Sequence, residues 1–126
     1  MRLLLDSHVV LWWLAGDERL GTAATEAIAD GGNDAVVSVA TLWELAVKQS
    51  IGKLVIDGDL RDQFEVEGFD ELPILGTHAA EVGVLPLHHR DPFDRMLVAQ
   101  ARVERLTLVT ADLRLTAYDV DLLTAG

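Results

Sequence analysis

A chain of 126 residues, half of them hydrophobic, can close one packed core, so a single domain spanning residues 1–126 is expected. The lack of cysteine excludes a disulfide framework, a thiolate metal site and a thiol nucleophile, and agrees with a reducing, cytoplasmic setting. The net charge of −11 excludes a broad basic face of the kind that grips nucleic acid.

Arg2 to Leu5 is a short apolar run closed by Asp6 and Ser7, which predicts a strand handing over to a helix across His8 to Ala15. Asp6 and His8 interrupt the apolar start, no small-residue cleavage site follows, and no run approaches the ~20 apolar residues of a membrane span. Neither a signal peptide nor membrane attachment is expected. Trp12 and Trp13 are adjacent and point ~100° apart on a helix, so they cannot both face one core. Either one lies at the surface, where it can bind a partner, or both pack at the edges of a wide stripe.

Thr22 to Asp30 suits an Ala-rich helix stopped by Gly31 and Gly32. Ala35 to Val39 reads as the second strand, followed by a helix over Thr41 to Ser50. Within it Thr41 and Glu44 have capping-box spacing, and Glu44 stands four residues before Lys48. The stretch Asp57 to Glu71 holds seven acids against the single Arg61. It predicts an acidic helix over Asp57 to Glu67, solvated on its outer face. Glu71 to Leu75 is a weaker third strand because of Pro73, Thr77 to Val84 a short helix, and Pro86 to Arg90 a loop.

Asp91 as N-cap and Pro92 at the first helical position then open a helix running to about Arg105, with Asp94 in its first turn. Leu106 to Val109 is the fourth strand, Thr110 to Asp112 a turn, Leu113 to Tyr118 a short helical piece, and Val120 to Leu123 an edge strand. Strands separated by helices imply an α/β fold, a short, mainly parallel sheet of four to five strands flanked by helices.

Asp6, Glu44 and Asp112 each sit where a strand gives way to a helix, and Asp94 opens the helix before the fourth strand. In an open parallel sheet, ligands bind outside the carboxyl ends of the strands, where these four acids converge. Carboxylates so close repel by several kcal/mol unless a cation intervenes. Oxygen ligands alone, without Cys or a suitable His spacing, favour Mg²⁺ or Mn²⁺, and such a site suits phosphoryl chemistry with an activated water. Each acid also has an ordinary explanation. Asp6 and Asp112 can cap helices, Glu44 can complete its box, and Asp94 can favour a helix dipole.

The order Leu3-Leu4-Leu5-Asp6-Ser7, Trp43-Glu44, His89-Arg90-Asp91-Pro92-Phe93-Asp94-Arg95 and Thr110-Ala111-Asp112 resembles the PIN-domain family, specifically the VapC-like toxins of prokaryotic toxin–antitoxin modules. The resemblance spans essentially the whole chain, and HRDPFDR is its most specific part. It implies a Mg²⁺-dependent endoribonuclease whose acids correspond to Asp6, Glu44, Asp94 and Asp112, with Ser7 and Thr110 as supporting polar groups. It also implies a homodimer and a cognate VapB-like antitoxin. Where many members carry an aromatic residue after the last acid, this chain has Leu115.

Lys48, Arg90, Arg95 and Arg114 are the candidate phosphate contacts to an RNA substrate. His88 and His89 are expected as loop residues rather than ligands or a base, and His8 as a helix-start residue. Trp12 and Trp13 are the candidate antitoxin contacts. The alternative is a catalytically silent PIN-like module that holds a protein partner through the tryptophans. A receiver-like phosphoacceptor domain is disfavoured because Asp6 stands alone after the first strand and no Lys follows Lys53, and nucleotide-binding folds because no glycine-rich phosphate loop occurs.

Overall fold

The computed structural model describes residues 1–126. Along the chain lie β1 (Arg2–Leu5), α1 (Ser7–Ala15), α2 (Thr22–Ala29), β2 (Asp34–Ser38), α3 (Val39–Ser50), α4 (Leu60–Glu67), β3 (Asp70–Leu72), α5 (Gly76–Val84), α6 (Pro92–Glu104), β4 (Thr107–Thr110), a 3₁₀ turn (Leu113–Ala117) and β5 (Leu122–Thr124). The strands form one sheet in the order β3-β2-β1-β4-β5, with every pairing parallel.

Successive leucines of β1 leave opposite faces of the sheet, and both faces are covered. Leu3 and Leu5, with Val37 and Val109, pack against Val9 and Val10 of α1, Ile28 of α2 and Phe64 of α4. Leu4, with Val36 and Leu108, packs against Leu97, Val98 and Ala101 of α6. The α/β class and the parallel sheet follow the expectation, and no helix is long and apolar enough to cross a membrane.

Several boundaries differ for local reasons. The first helix begins at Ser7, one residue early, because the Asp6 carboxylate accepts the Val9 N–H at 2.9 Å and caps it. The third helix begins at Val39, because the Ser38 hydroxyl accepts the Ala40 N–H at 3.0 Å. Thr41 therefore lies inside the helix with its hydroxyl buried and unpartnered, and the expected capping box with Glu44 does not form.

The acidic helix starts at Leu60 rather than Asp57, capped by Asp59, which accepts the Arg61 and Asp62 N–H groups. Strand β3 ends at Leu72 instead of reaching Leu75, just before Pro73, which has no N–H to donate to a ladder. Strand β5 is displaced to Leu122–Thr124, where it pairs in parallel with β4.

Candidate active site

The sheet order reverses at the adjoining strands β1 and β4, and their carboxyl ends open into one crevice. Asp6 leaves the end of β1, Asp112 lies two residues beyond β4, Glu44 projects from the second turn of α3, and Asp94 from the first turn of α6. Asp91 sets the last of these by accepting the Phe93 N–H at 2.8 Å and the Asp94 N–H at 3.2 Å. All four acids line a cavity of about 390 Å³, together with Ser7, His8, Trp12, Lys48, Asp91 and Arg114. A separate acidic cavity of about 440 Å³, walled by Asp59–Glu71, shares no residue with it.

The four carboxylates stand in different environments. Asp6 is 5% exposed, and burial raises its pKa, opposed by the Thr110 hydroxyl donating to Oδ2 and by the Val9 N–H. Thr110 also accepts the Asp112 N–H at 3.0 Å, so one hydroxyl ties two of the acids together. Glu44 is buried and paired with Lys48 at 2.9 Å.

Asp94 accepts no hydrogen bond at its carboxylate, the nearest donor being His89 Nε2 at 3.4 Å from Oδ2. Burial first, then the negative charges of Asp91 and Glu44, pushes its pKa up to about 7. Asp112 is the reverse case. Hydrogen bonds from the Arg114 side chain, and secondarily from His89, hold it down to about 2.

Sequence reasoning missed His89. Rather than a plain loop residue it is 7% exposed, and its Nε2 lies 3.0 Å from Asp112 Oδ2. One ligand atom from each of His89, Asp94 and Asp112 lies within 4.8 Å of the others, which places the imidazole directly against two of the acids. The available signal was local. His89 precedes the N-cap Asp91 by two residues, close enough for the Asp91 N–H to reach the ring at 3.0 Å.

The basic candidates divide. Lys48 and Arg114 line the pocket, and Arg90 lines an adjoining cavity of about 470 Å³ that also contains Leu87, His88 and Arg114. Arg95 does not reach the pocket. Its guanidinium donates to the Pro86 and Val82 carbonyls and to Tyr118 Oη at 3.0–3.1 Å, where it secures the end of α5.

Both tryptophans are half-buried and pack at the edges of the core, so neither stands free. Trp12 edges the pocket, with Arg19 5.4 Å from its ring and the exposed His8 5.9 Å away, while Trp13 donates to Glu67 at 3.0 Å and tilts against Phe69. Ser7 is buried at the pocket wall.

The PIN-domain model matches residues 3–121. The chain belongs to the PIN-domain family. It is 31% identical over 127 residues to Ribonuclease VapC22 of Mycobacterium tuberculosis, an alignment covering 92% of this chain and 91% of that protein. Among solved structures, this PIN domain is similar to VapBC2 from Rickettsia felis, solved bound to a promoter DNA fragment, with TM-score 0.71, 15% identity and full coverage of both chains. It is also similar to a toxin–antitoxin complex from Klebsiella pneumoniae, with TM-score 0.66, 18% identity and coverage of 97% and 96%. At those identities the structural likeness concerns the fold.

Proposed function

We propose that this PIN domain is a Mg²⁺-dependent endoribonuclease, the toxin of a toxin–antitoxin pair. The observation that carries the reading is Asp94, a largely buried carboxylate with no hydrogen-bond donor, set among like charges. Such a group is at ease only when protonated or facing a cation. Asp6, Glu44 and Asp94 would hold the ion and Asp112 completes the set, an all-oxygen donor group that fits Mg²⁺ or Mn²⁺. A divalent ion there supplies Lewis acidity, acidifying water and offsetting charge on the scissile phosphate.

The chain's own groups do the positioning. The Thr110 hydroxyl orients Asp6, and Ser7 lines the pocket beside it. Lys48, Arg90 and Arg114 stand along the pocket and its neighbour, where they meet RNA phosphates and offset the acidic surroundings. No nucleophilic side chain is needed. The 31% identity to a protein named as a ribonuclease, in an alignment covering 92% of the chain, supports RNA as the substrate.

A VapB-like antitoxin in the cytoplasm is the partner this reading requires, its tail laying apolar residues on Trp12 at the pocket edge. Homodimerisation completes the proposal. The exposed stripe of Trp43 and Val47 on α3 and Ile51 at its C-terminal cap supports burial of this surface against protein.

The test is cleavage of structured RNA by antitoxin-free protein, with and without chelator. Asp6→Asn and Asp94→Asn each remove ligand charge and little volume, so both abolish Mg²⁺-dependent cleavage while the circular dichroism spectrum stays native. Undiminished cleavage by both variants refutes the assignment.

A further inference from the structure

Asp112 is saturated with hydrogen bonds. Its Oδ1 accepts the Arg114 backbone N–H at 3.0 Å and Arg114 Nε at 3.0 Å, while Oδ2 accepts Arg114 Nη2 at 2.9 Å and His89 Nε2 at 3.0 Å. A carboxylate offers about four lone-pair sites, so none is left for an ion. Asp94, across the same pocket, accepts none.

The donors on Asp112 are not equally fixed. The His89 side chain is 6% exposed. Its Nδ1 accepts the Asp91 N–H at 3.0 Å, so the ring hydrogen sits on Nε2 and His89 acts as a donor to Asp112 rather than a metal ligand. Its own backbone N–H donates to the Tyr118 hydroxyl at 3.0 Å, which also accepts from Arg95, so backbone and ring are each held by hydrogen bonds. The Arg114 backbone N–H is fixed as the cap of the 3₁₀ turn. Only the Arg114 guanidinium faces solvent, its side chain 72% exposed at the border between the acidic pocket and the cavity of Leu87, His88 and Arg90.

We propose that Arg114 is a displaceable counter-cation: its guanidinium neutralises Asp112 in the ion-free pocket and exchanges onto an RNA phosphate when the divalent ion takes its place. A guanidinium fork matches carboxylate and phosphate alike, so the exchange trades one bidentate partner for another without breaking a covalent bond. His89 meanwhile keeps its hold on Oδ2 and presents Asp112 in a constant orientation, as outer-shell donors do for ligating carboxylates. The inference rests on the nuclease reading above and predicts a signature that a static surface ion pair lacks, since removing Arg114 strengthens one ligand and weakens another.

The experiment is calorimetric titration of Mn²⁺ into the full-length, antitoxin-free chain, with RNA binding measured in parallel across a salt series, for wild type, Arg114→Gln and Arg114→Lys. Arg114→Gln is expected to bind Mn²⁺ about two- to fivefold more tightly, the competition an exposed ion pair exerts. It is also expected to bind RNA about tenfold more weakly, with a salt slope smaller by about 0.7, as for one lost phosphate contact on a single strand. Arg114→Lys, a point charge without the fork, falls between. Unchanged or weaker Mn²⁺ binding by Arg114→Gln overturns the exchange, and so does tighter Mn²⁺ binding with unaltered RNA affinity and slope. A wild-type chain that takes up no Mn²⁺ brings down the nuclease reading itself, and the exchange with it.

Discussion

Replacing Asp94 by Asn should make the metal-free protein more stable while it abolishes activity, and the gain should depend on pH. The pKa of Asp94 rises from 3.8 in the unfolded chain to about 7 in the fold, through burial and then the charges of Asp91 and Glu44. The folded state therefore keeps a proton that the unfolded chain releases, and stability falls as pH climbs from about 3.8 to about 7. At about 1.4 kcal/mol for each factor of ten in proton affinity, the full cost above pH 7 is about 4 kcal/mol. The side chain is 20% exposed at the pocket mouth, and solvent screening brings the expected gain to about 2 kcal/mol.

For a domain of 126 residues that gain corresponds to about 8 °C in melting temperature. Melts followed by circular dichroism with chelator present should show wild type and Asp94→Asn nearly together at pH 4, where both carry a neutral group, and separated at pH 8. Adding Mn²⁺ at pH 8 should then raise the melting temperature of wild type but not of Asp94→Asn, because only the charged pocket has a use for the ion. Equal melting temperatures at pH 8 without metal, or a wild type that is the more stable, would refute the electrostatic strain.

Asp112 behaves oppositely. Arg114 above all holds its pKa at about 2, so its contribution is present above pH 3.8 and disappears as pH falls through about 2. In Asp112→Asn, the loss of melting temperature between pH 4 and pH 2 should shrink. Thr41→Val removes a buried hydroxyl that has no partner and keeps the side-chain shape, and should raise the unfolding free energy from urea titration by about 1 kcal/mol. Tyr118→Phe leaves the His89 N–H and one Arg95 donor without their acceptor and should cost about 2 kcal/mol in the same assay. Trp12→Ala should weaken capture of a VapB-like antitoxin while the chain stays folded, as read by co-purification and circular dichroism.

What the sequence made legible tracks the range of the interaction responsible. Apolar runs such as Leu3-Leu4-Leu5 show a strand buried on both faces, and Asp91-Pro92 marks a helix start, because both signals lie within a few adjacent residues. The start of α3 was less legible, since Thr41 and Glu44 have capping-box spacing, yet it is the Ser38 hydroxyl at the end of β2 that accepts the Ala40 N–H and opens the helix at Val39. The four acids could be grouped because strand ends in a parallel sheet share one edge, so topology places residues 106 positions apart in sequence, Asp6 and Asp112, in the same cavity.

The Glu44–Lys48 pair was legible from its i,i+4 spacing, but the surroundings of Asp94 and Asp112 were not. Arg95 follows Asp94 directly, yet faces α5 and Tyr118, whereas Arg114, two residues past Asp112, folds back onto it because the 3₁₀ turn brings its side chain round to the capping carboxylate. Net charge on the sequence treats these two arginines alike. In the fold they have separate tasks. Arg95 holds Tyr118, Tyr118 holds the His89 backbone and His89 holds Asp112, a chain of donors running from the end of α5 to the pocket. A carboxylate steadied from behind by a buried imidazole and covered in front by an exposed guanidinium has one rigid contact and one removable one. That asymmetry lets an acidic protein keep a dense cluster of carboxylates while leaving room for a cation and a polyanionic substrate to displace what covers it.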